Sequence, residues 1–234
     1  MCSISHDNKA IFFHIGKTAG IYIRNTLSKY YNFNLYLLKR PDHIEYCNSN
    51  IELNKQLSFC CKEGIVKYYK TSEYINDFTD MNDCKWKEYF KFCFVRNPYD
   101  RAVSGWNYLM EVQKLNIDFD KYLKMKNIVS ENEYWHVFLS QYQTILDENG
   151  NIFVDYIGKF ENIENDFQII LQKIGFNKIK HTPTFYNRRK NDNYKKYYTQ
   201  EALDIINTIY ENDFIYFNYI KYDKLEDFLN ASEN

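Results

Sequence analysis

Apolar positions along this chain alternate between short continuous runs and longer periodic stretches. Ala10–Ile15 is a compact apolar run bounded by polar residues, the pattern of a buried strand. Beyond a turn at Gly16–Gly20, apolar positions recur at Ile23, Leu27 and Tyr30 or Tyr31, which is helical spacing. Tyr89–Arg96, YFKFCFVR, is aromatic and β-rich, with Lys91 its one interruption before Arg96, and predicts a second central strand. A helix follows at once: Asn97 is a good N-cap, Pro98 suits the first helical position and Asp100 lies in the first turn. Val103, Trp106, Leu109 and Met110 form its buried stripe. Phe119, Tyr122 and Leu123 predict a short helix, NEYWHVFLSQYQTIL an aromatic segment near an opening, and DENGN a turn. Phe153–Phe160 reads as a third strand, and Ile163, Phe167, Ile170, Leu171 and Ile174 as a strongly amphipathic helix ended by Gly175. Ala202, Ile205, Ile206 and Ile209 define a last long helix. Residues 32–65 are irregular, with NSNIELNKQLSF a weak helix, and residues 181–198 read as a polar, basic loop.

Strands alternating with helices predict an α/β fold, a central parallel sheet covered on both faces, with ligands beyond the C-terminal ends of its strands. No internal repeat or low-complexity linker divides the chain, so residues 1–234 are expected to form a single domain. The 23 Tyr and 18 Phe far exceed the 3 Trp, which together with abundant Ile, Lys and Asn reads as the bias of an AT-rich genome. A net charge of −1 gives no global basic field for nucleic acid, so any anion site must be local. The six cysteines (Cys2, Cys47, Cys60, Cys61, Cys84 and Cys93) form no C-x-x-C and no zinc-like spacing, so they read as reduced thiols and no metal is expected. The N-terminal stretch has no signal-peptide core and no run is long enough to span a membrane, so a soluble, cytoplasmic protein is expected. A lumenal domain trimmed of its anchor would read the same way.

Two strand ends carry candidate chemistry. The first, His14–Gly20, sets Lys17 on a glycine-flanked turn entering a helix, although the chain has only 7 glycines. Free N–H groups at a helix start and a lysine ammonium together suit a phosphate; the alternative is a surface lysine on a turn. The second is Arg96–Ser104: Arg96 closes a buried strand and Ser104 lies two turns into the next helix, so both can reach one phosphate. Read singly, they are a solvated strand end and a helix-surface serine.

The strings FFHIGKTAG and FCFVRNPYDRAVS resemble the two signature stretches of sulfotransferases that use 3′-phosphoadenosine 5′-phosphosulfate (PAPS), in the branch that includes carbohydrate O-sulfotransferases. YIGKFENIENDFQIILQKIG and YYTQEALDIINTIYENDFIYFNY resemble the C-terminal half of that branch, so the likeness runs along nearly the whole chain, least over residues 32–70. The resemblance implies a P-loop-NTPase-like three-layer fold. It implies that Gly16, Lys17, Thr18, Ala19, Gly20, Ile21 and Tyr22 hold the 5′-phosphosulfate end of the donor, with Lys17 at the bridging oxygen. It implies further that Arg96 and Ser104 hold the 3′-phosphate, that Arg188, Arg189 and Lys190 close over the cofactor, and that the acceptor is a glycan hydroxyl. The usual proline is Gly16 here, and a usual Thr–Ser pair is Ile21–Tyr22, which removes two side-chain donors while leaving the backbone donors.

Sulfuryl transfer asks for alignment, charge stabilisation on the departing oxygen and a base for the acceptor proton. Relatives place a histidine between the two motifs; Tyr69 falls at that place here. His43 is the preferred base, with Glu45, Glu73 or His136 as alternatives. The expected function is PAPS-dependent O-sulfation of a carbohydrate. A second reading is a PAPS-binding relative without transfer activity. A P-loop kinase ranks last, because the G-x-x-x-x-G-K-[ST] spacing and an evident magnesium carboxylate are missing.

Overall fold

The structure, a computed structural model, describes residues 2–36, 83–114, 116–124, 138–147, 149–176 and 193–232. His43, Arg188, Arg189 and Lys190 lie outside the described residues, as do Glu45, Tyr69, Glu73, His136 and the weak helix expected near residues 48–59.

The strands are β1 (Cys2–Ser5), β2 (Ala10–Phe13), β3 (Asn34–Tyr36), β4 (Phe90–Val95) and β5 (Tyr156–Lys159), in the sheet order β3-β1-β2-β4-β5. The fold is α/β, and its centre is parallel: Phe12 pairs with Phe92, and Phe94 with Gly158. On the β2 side the sheet continues through β1, antiparallel to both β2 and β3, which the sequence reading left out. In β1, Ser3 and Ser5 interrupt the apolar run although all four of its residues are buried. Ser5 finds a use for its hydroxyl, accepting from the Asn8 side chain at 2.7 Å in the turn to β2.

The third strand is shorter than Phe153–Phe160. Ile152 instead bridges Leu146, and the Phe153 amide donates to the Ile145 carbonyl at 3.0 Å, so the start of the run closes a local hairpin. Lys91, the polar break in β4, is buried because the helix before it ends there. That helix, α2 (Asp83–Glu88), leaves C-terminal carbonyls open. Lys91 Nζ donates to the carbonyls of Trp86 at 3.1 Å and Tyr89 at 2.7 Å, and pairs with Asp155 at 3.3 Å.

One sheet face is covered by α1 (Gly20–Tyr30) and α5 (Ile163–Lys173), which bring Ile23, Leu27, Phe167, Ile170 and Leu171 onto Phe12, Phe92 and Phe94. A Cβ on Gly158 would stand 2.5 Å from the Phe94 ring, so this position of β5 has to lack a side chain. The other face sets Ile11, Phe13, Cys93 and Val95 against Trp86, Ile145 and Phe217. Burial pushes the Cys2 thiol up to about 12 and the Cys93 thiol higher still, so neither is a nucleophile at neutral pH.

Beside the sheet lies a helical layer: α3 (Pro98–Gln113), α4 (Phe119–Lys124), α6 (Gln200–Ile209), α7 (Glu211–Tyr216) and α8 (Leu225–Asn230) around Tyr99, Leu109, Tyr122, Leu203, Ile206 and Tyr210. The α6 helix is therefore not the last: Tyr210 is followed directly by α7, and α8 packs Phe228 against Tyr99 and Tyr198. Within the expected basic loop, Tyr194–Tyr197 makes a 3₁₀ turn whose Lys195 is buried, with Nζ donating to the Ala231 carbonyl at 2.5 Å. Among the described residues, no helix is long and apolar enough to cross a membrane.

Candidate functional site: a lysine loop joined to an arginine strand end

β2 and β4 are parallel neighbours, so their C-terminal ends deliver Lys17 and Arg96 to the same edge of the sheet. After Phe13 the chain turns through His14–Ala19 and enters α1. Lys17 (φ 68°) and Ala19 (φ 63°) are both left-handed, a conformation that costs a non-glycine residue free energy and has to be held by its surroundings. Three contacts hold it. The buried Thr18 hydroxyl donates to the Ile15 carbonyl at 2.9 Å, Arg101 Nε to the Gly16 carbonyl at 2.9 Å, and Arg96 Nη1 to the Lys17 carbonyl at 3.3 Å.

Gly20 has a different reason to be glycine. The His14 imidazole, stacked on Phe12, lies against its Cα, and a Cβ there would come within 1.8 Å of His14 Cδ2. The N-cap residue Ala19 has no side chain to satisfy the first-turn amides of α1. The amides of Tyr22 and Ile23 turn back to the Ala19 carbonyl at 2.9 and 3.2 Å. The Gly20 and Ile21 amides, which have no acceptor within the helix, are left as donors at the mouth. Ile21 is exposed and Tyr22 half-buried, whereas Thr18 is fully buried with its hydroxyl turned into the fold, so its role here is to brace the loop.

The Arg96 side of the site is clamped from several directions. Its Nε and Nη2 both reach Asp100 Oδ2 at 2.7 Å, and its Cζ lies 4.2 Å from the centroid of the Phe160 ring. The Gln141 amide spans the Arg96 backbone, accepting from its N–H at 2.9 Å and donating to its carbonyl at 2.8 Å. Gln141 is fixed in turn by buried Asp213, which also accepts from the Ser140 hydroxyl and the Tyr142 amide. Asn97 caps α3 as expected, its side chain accepting from the Tyr99 amide at 2.9 Å. Its own amide donates to Glu161, which also accepts from the Tyr219 hydroxyl. Burial first, and then the Glu161 charge, push that hydroxyl well above its ordinary range.

Asp100, Ser104 and Tyr108 are spaced one turn apart and so share one ridge of α3. Arg96 sits at the Asp100 end, and at the other end Lys17 Nζ lies 4.4 Å from the centroid of the Tyr108 ring. The half-buried Ser104 stands between them. The structure thus brings together Gly16, Lys17, Thr18, Ala19, Gly20, Ile21, Tyr22, Arg96 and Ser104. Asp100 was read only as the first-turn acid of this helix, and Arg101, Tyr108, Gln141 and Glu161 were not singled out in the sequence. Asp100 and Arg101 stood inside the second motif and could have been found there; the contributions of Gln141 and Glu161 carry no local signal. Chemically, the arrangement offers amides, an ammonium, a guanidinium and a hydroxyl along about two helical turns. It is a set of donors suited to an extended polyanion.

Such an edge, two parallel strands each feeding an anion-suited loop into a helix, is where an α/β protein can hold an anionic ligand. The chain belongs to the sulfotransferase family, whose family model matches residues 2–220. It is similar to an uncharacterized protein of Archaeoglobus fulgidus, 33% identical over 109 residues, which are 46% of this chain and 84% of the archaeal one. It is also similar to carbohydrate sulfotransferase 11 of Mus musculus, at 27% identity, over 57% of this chain and 47% of the mouse protein. The chain therefore spans about half the length of that mouse relative. No solved structure matches it significantly.

Proposed function

We propose that the chain, as a single domain, transfers a sulfuryl group from PAPS to a hydroxyl of a carbohydrate. The observation that carries this is the direct link between the two cationic strand ends, Arg96 Nη1 to the Lys17 carbonyl at 3.3 Å, with Ser104 on the ridge between them. Adenosine with phosphates at both its 3′ and 5′ positions is an extended polyanionic ligand of matching form. In this reading the loop amides and Lys17 take the 5′ end, and Arg96 and Ser104 take the 3′-phosphate. The similarity to a protein named carbohydrate sulfotransferase 11 supports the glycan acceptor.

In the transfer, the acceptor oxygen attacks sulfur as the bond from sulfur to the bridging oxygen breaks, and negative charge grows on the departing 5′-phosphate. Lys17 and the Gly20 and Ile21 amides are preorganised to stabilise that charge. Asp100 holds the Arg96 guanidinium in one plane and leaves N–H groups of Nη1 and Nη2 for the 3′-phosphate. His43 is the proposed base, and Arg188, Arg189 and Lys190 the proposed cover; these four rest on the sequence.

The test is thermal. Adenosine 3′,5′-bisphosphate is expected to raise the melting temperature, and Lys17→Ala or Arg96→Ala to abolish the rise. No shift at millimolar ligand rejects the donor assignment. Radiolabelled PAPS with a panel of glycans then tests transfer: bisphosphate binding without label on any acceptor supports a binding protein instead.

A further inference from the structure

Arg101 is the largest fully buried side chain of the described residues, 1% exposed, and it uses its charge poorly. Of its five N–H donors, the one on Nε is bonded, to the Gly16 carbonyl at 2.9 Å. Nη1 and Nη2 have no hydrogen-bond partner, and neither has the buried Tyr122 hydroxyl. The guanidinium faces the Tyr210 ring, with Cζ 5.7 Å from its centroid; the Tyr210 hydroxyl donates to the Phe138 carbonyl at 3.1 Å, and the Arg101 charge partly offsets the burial that pushes that hydroxyl up. Among the described residues, no carboxylate pairs with it.

A buried guanidinium left this open costs stability, and an apolar side chain of similar length would suit the same volume better. What the arginine provides is reach. From inside the helical layer it passes under the loop and holds the carbonyl directly before Lys17, the first of the two loop residues that need external support for their backbone conformation.

We propose that Arg101 is a positioning residue: its Nε, bonded to the Gly16 carbonyl, holds the Lys17 loop in its left-handed form, so that the loop's donors are set for the 5′ end of the nucleotide before it binds. It acts on the loop and not on the 3′-phosphate, which this assignment leaves to Arg96 and Ser104. The ligand half of the proposal rests on the donor reading above; the loop half stands without it.

The experiment compares the unsubstituted protein with Arg101→Met and Arg101→Lys. Amide hydrogen exchange over residues 14–20 is measured without ligand. In Arg101→Met it is expected to quicken at least about tenfold, the scale of one lost charge-assisted hydrogen bond, while exchange in β4 and α5 and the melting temperature hold. Calorimetry is expected to show the affinity for adenosine 3′,5′-bisphosphate falling about tenfold or more, with that for adenosine 3′-monophosphate unchanged within about twofold. Arg101→Lys, which keeps a cationic donor within reach of the carbonyl, is expected to restore most of both. Unchanged exchange over 14–20 in Arg101→Met overturns the proposal, as does equal weakening of the two nucleotides. A loosened loop in a protein whose unsubstituted form binds no bisphosphate removes the donor reading and leaves the positioning role standing. Should Arg101→Met not fold, Arg101→Gln, neutral but still polar, is read by the same two measurements.

Discussion

The sheet and the helical layer beside it are both aromatic, but they use their rings differently. On the sheet side, buried rings are mostly phenylalanine: Phe12, Phe92 and Phe94 of the strands meet Phe33, α1 and Phe167 of α5 through apolar contact alone. In the helical layer, tyrosine is as common as phenylalanine, and most hydroxyls tie one element to another. Tyr99 donates to Asn207 at 2.6 Å and accepts from the Tyr222 amide at 3.1 Å; Tyr198 donates to the Tyr99 carbonyl at 2.8 Å; Tyr210 donates to the Phe138 carbonyl at 3.1 Å. The phenylalanine side derives its stability from burial, which is non-directional and tolerant of shape. The tyrosine side adds directional bonds, each of which has to be kept once buried. A composition that read as genomic bias therefore has a local structural role, and the site lies along α3, the helix where the two regions meet.

Alkaline pH separates them most strongly. Burial pushes the hydroxyls of Tyr122 and Tyr198 well above their ordinary range and that of Tyr210 up to about 12. A group whose folded pKa is raised contributes stability that is present below its unfolded pKa and is lost as pH rises through the folded one. Stability is thus expected to fall from about pH 10 upward, by up to about 1.4 kcal/mol per pH unit for each such tyrosine. Trp106 packs against the helical layer and Trp86 against the sheet, so fluorescence of single-tryptophan variants reads each region. With the buried sheet thiols Cys2 and Cys93, which burial also pushes up, replaced by alanine in every variant, the Trp106 signal is expected to change first; simultaneous loss of both would erase the distinction.

Phe92→Ala attacks the other side. Phe92 is fully buried between Phe12, Phe33 and Phe90, and truncation is expected to cost about 3–5 kcal/mol by denaturant titration. Lys17→Ala should touch neither core. It is expected to lower turnover about 10²–10³-fold, the worth of one preorganised donor, while the melting temperature of the free protein stays within a few degrees. A large drop in that temperature would make Lys17 a structural residue, and its contact with Tyr108 the reason.

How far the sequence foretold this arrangement follows from how each element announces itself. β2, β4 and the start of α3 were legible because continuous apolar runs and an Asn-Pro cap are local signals. β1 was not, because Ser3 and Ser5 break its apolar run, and what buries them is the pairing with β2 and β3, which is not local; Ser5 bonds Asn8, while the Ser3 hydroxyl is buried without a partner. Lys91 read as a polar break in β4 and Lys195 as part of a basic loop, yet both are buried: Lys91 by the carbonyls at the end of the helix just before it, Lys195 by the Ala231 carbonyl far along the chain. The two motifs implied that Lys17 and Arg96 serve one ligand; the structure sets them on the shared edge of β2 and β4, with Arg96 Nη1 donating to the Lys17 carbonyl. Arg101 escaped notice for a reason of its own. The stripe Val103, Trp106, Leu109 and Met110 treats α3 as a helix with one buried side, whereas its first turns are buried from two sides, by the helical layer and by the Lys17 loop.

The last two predictions concern hydroxyls within the tyrosine side itself. Tyr99→Phe leaves the Asn207 side chain and the Tyr222 amide each short of a partner, and is expected to destabilise by about 1–3 kcal/mol. Tyr122→Phe removes the same atom from a residue of the same layer, yet that hydroxyl has no partner to lose. Its burial is a cost with no bond to offset it, so the phenylalanine variant is expected to match the parent or exceed it by up to about 1 kcal/mol in denaturant titration. The pair isolates bonding from burial, because ring, layer and deleted atom are alike. If Tyr122→Phe destabilises as much as Tyr99→Phe, the open Nη groups of Arg101 and the Tyr122 hydroxyl must share an ordered water, and the guanidinium is less costly to the fold than its bare geometry implies. In that event Arg101→Met should also lower the melting temperature, which ties the smallest effect expected in the helical layer to the loop at the edge of the sheet.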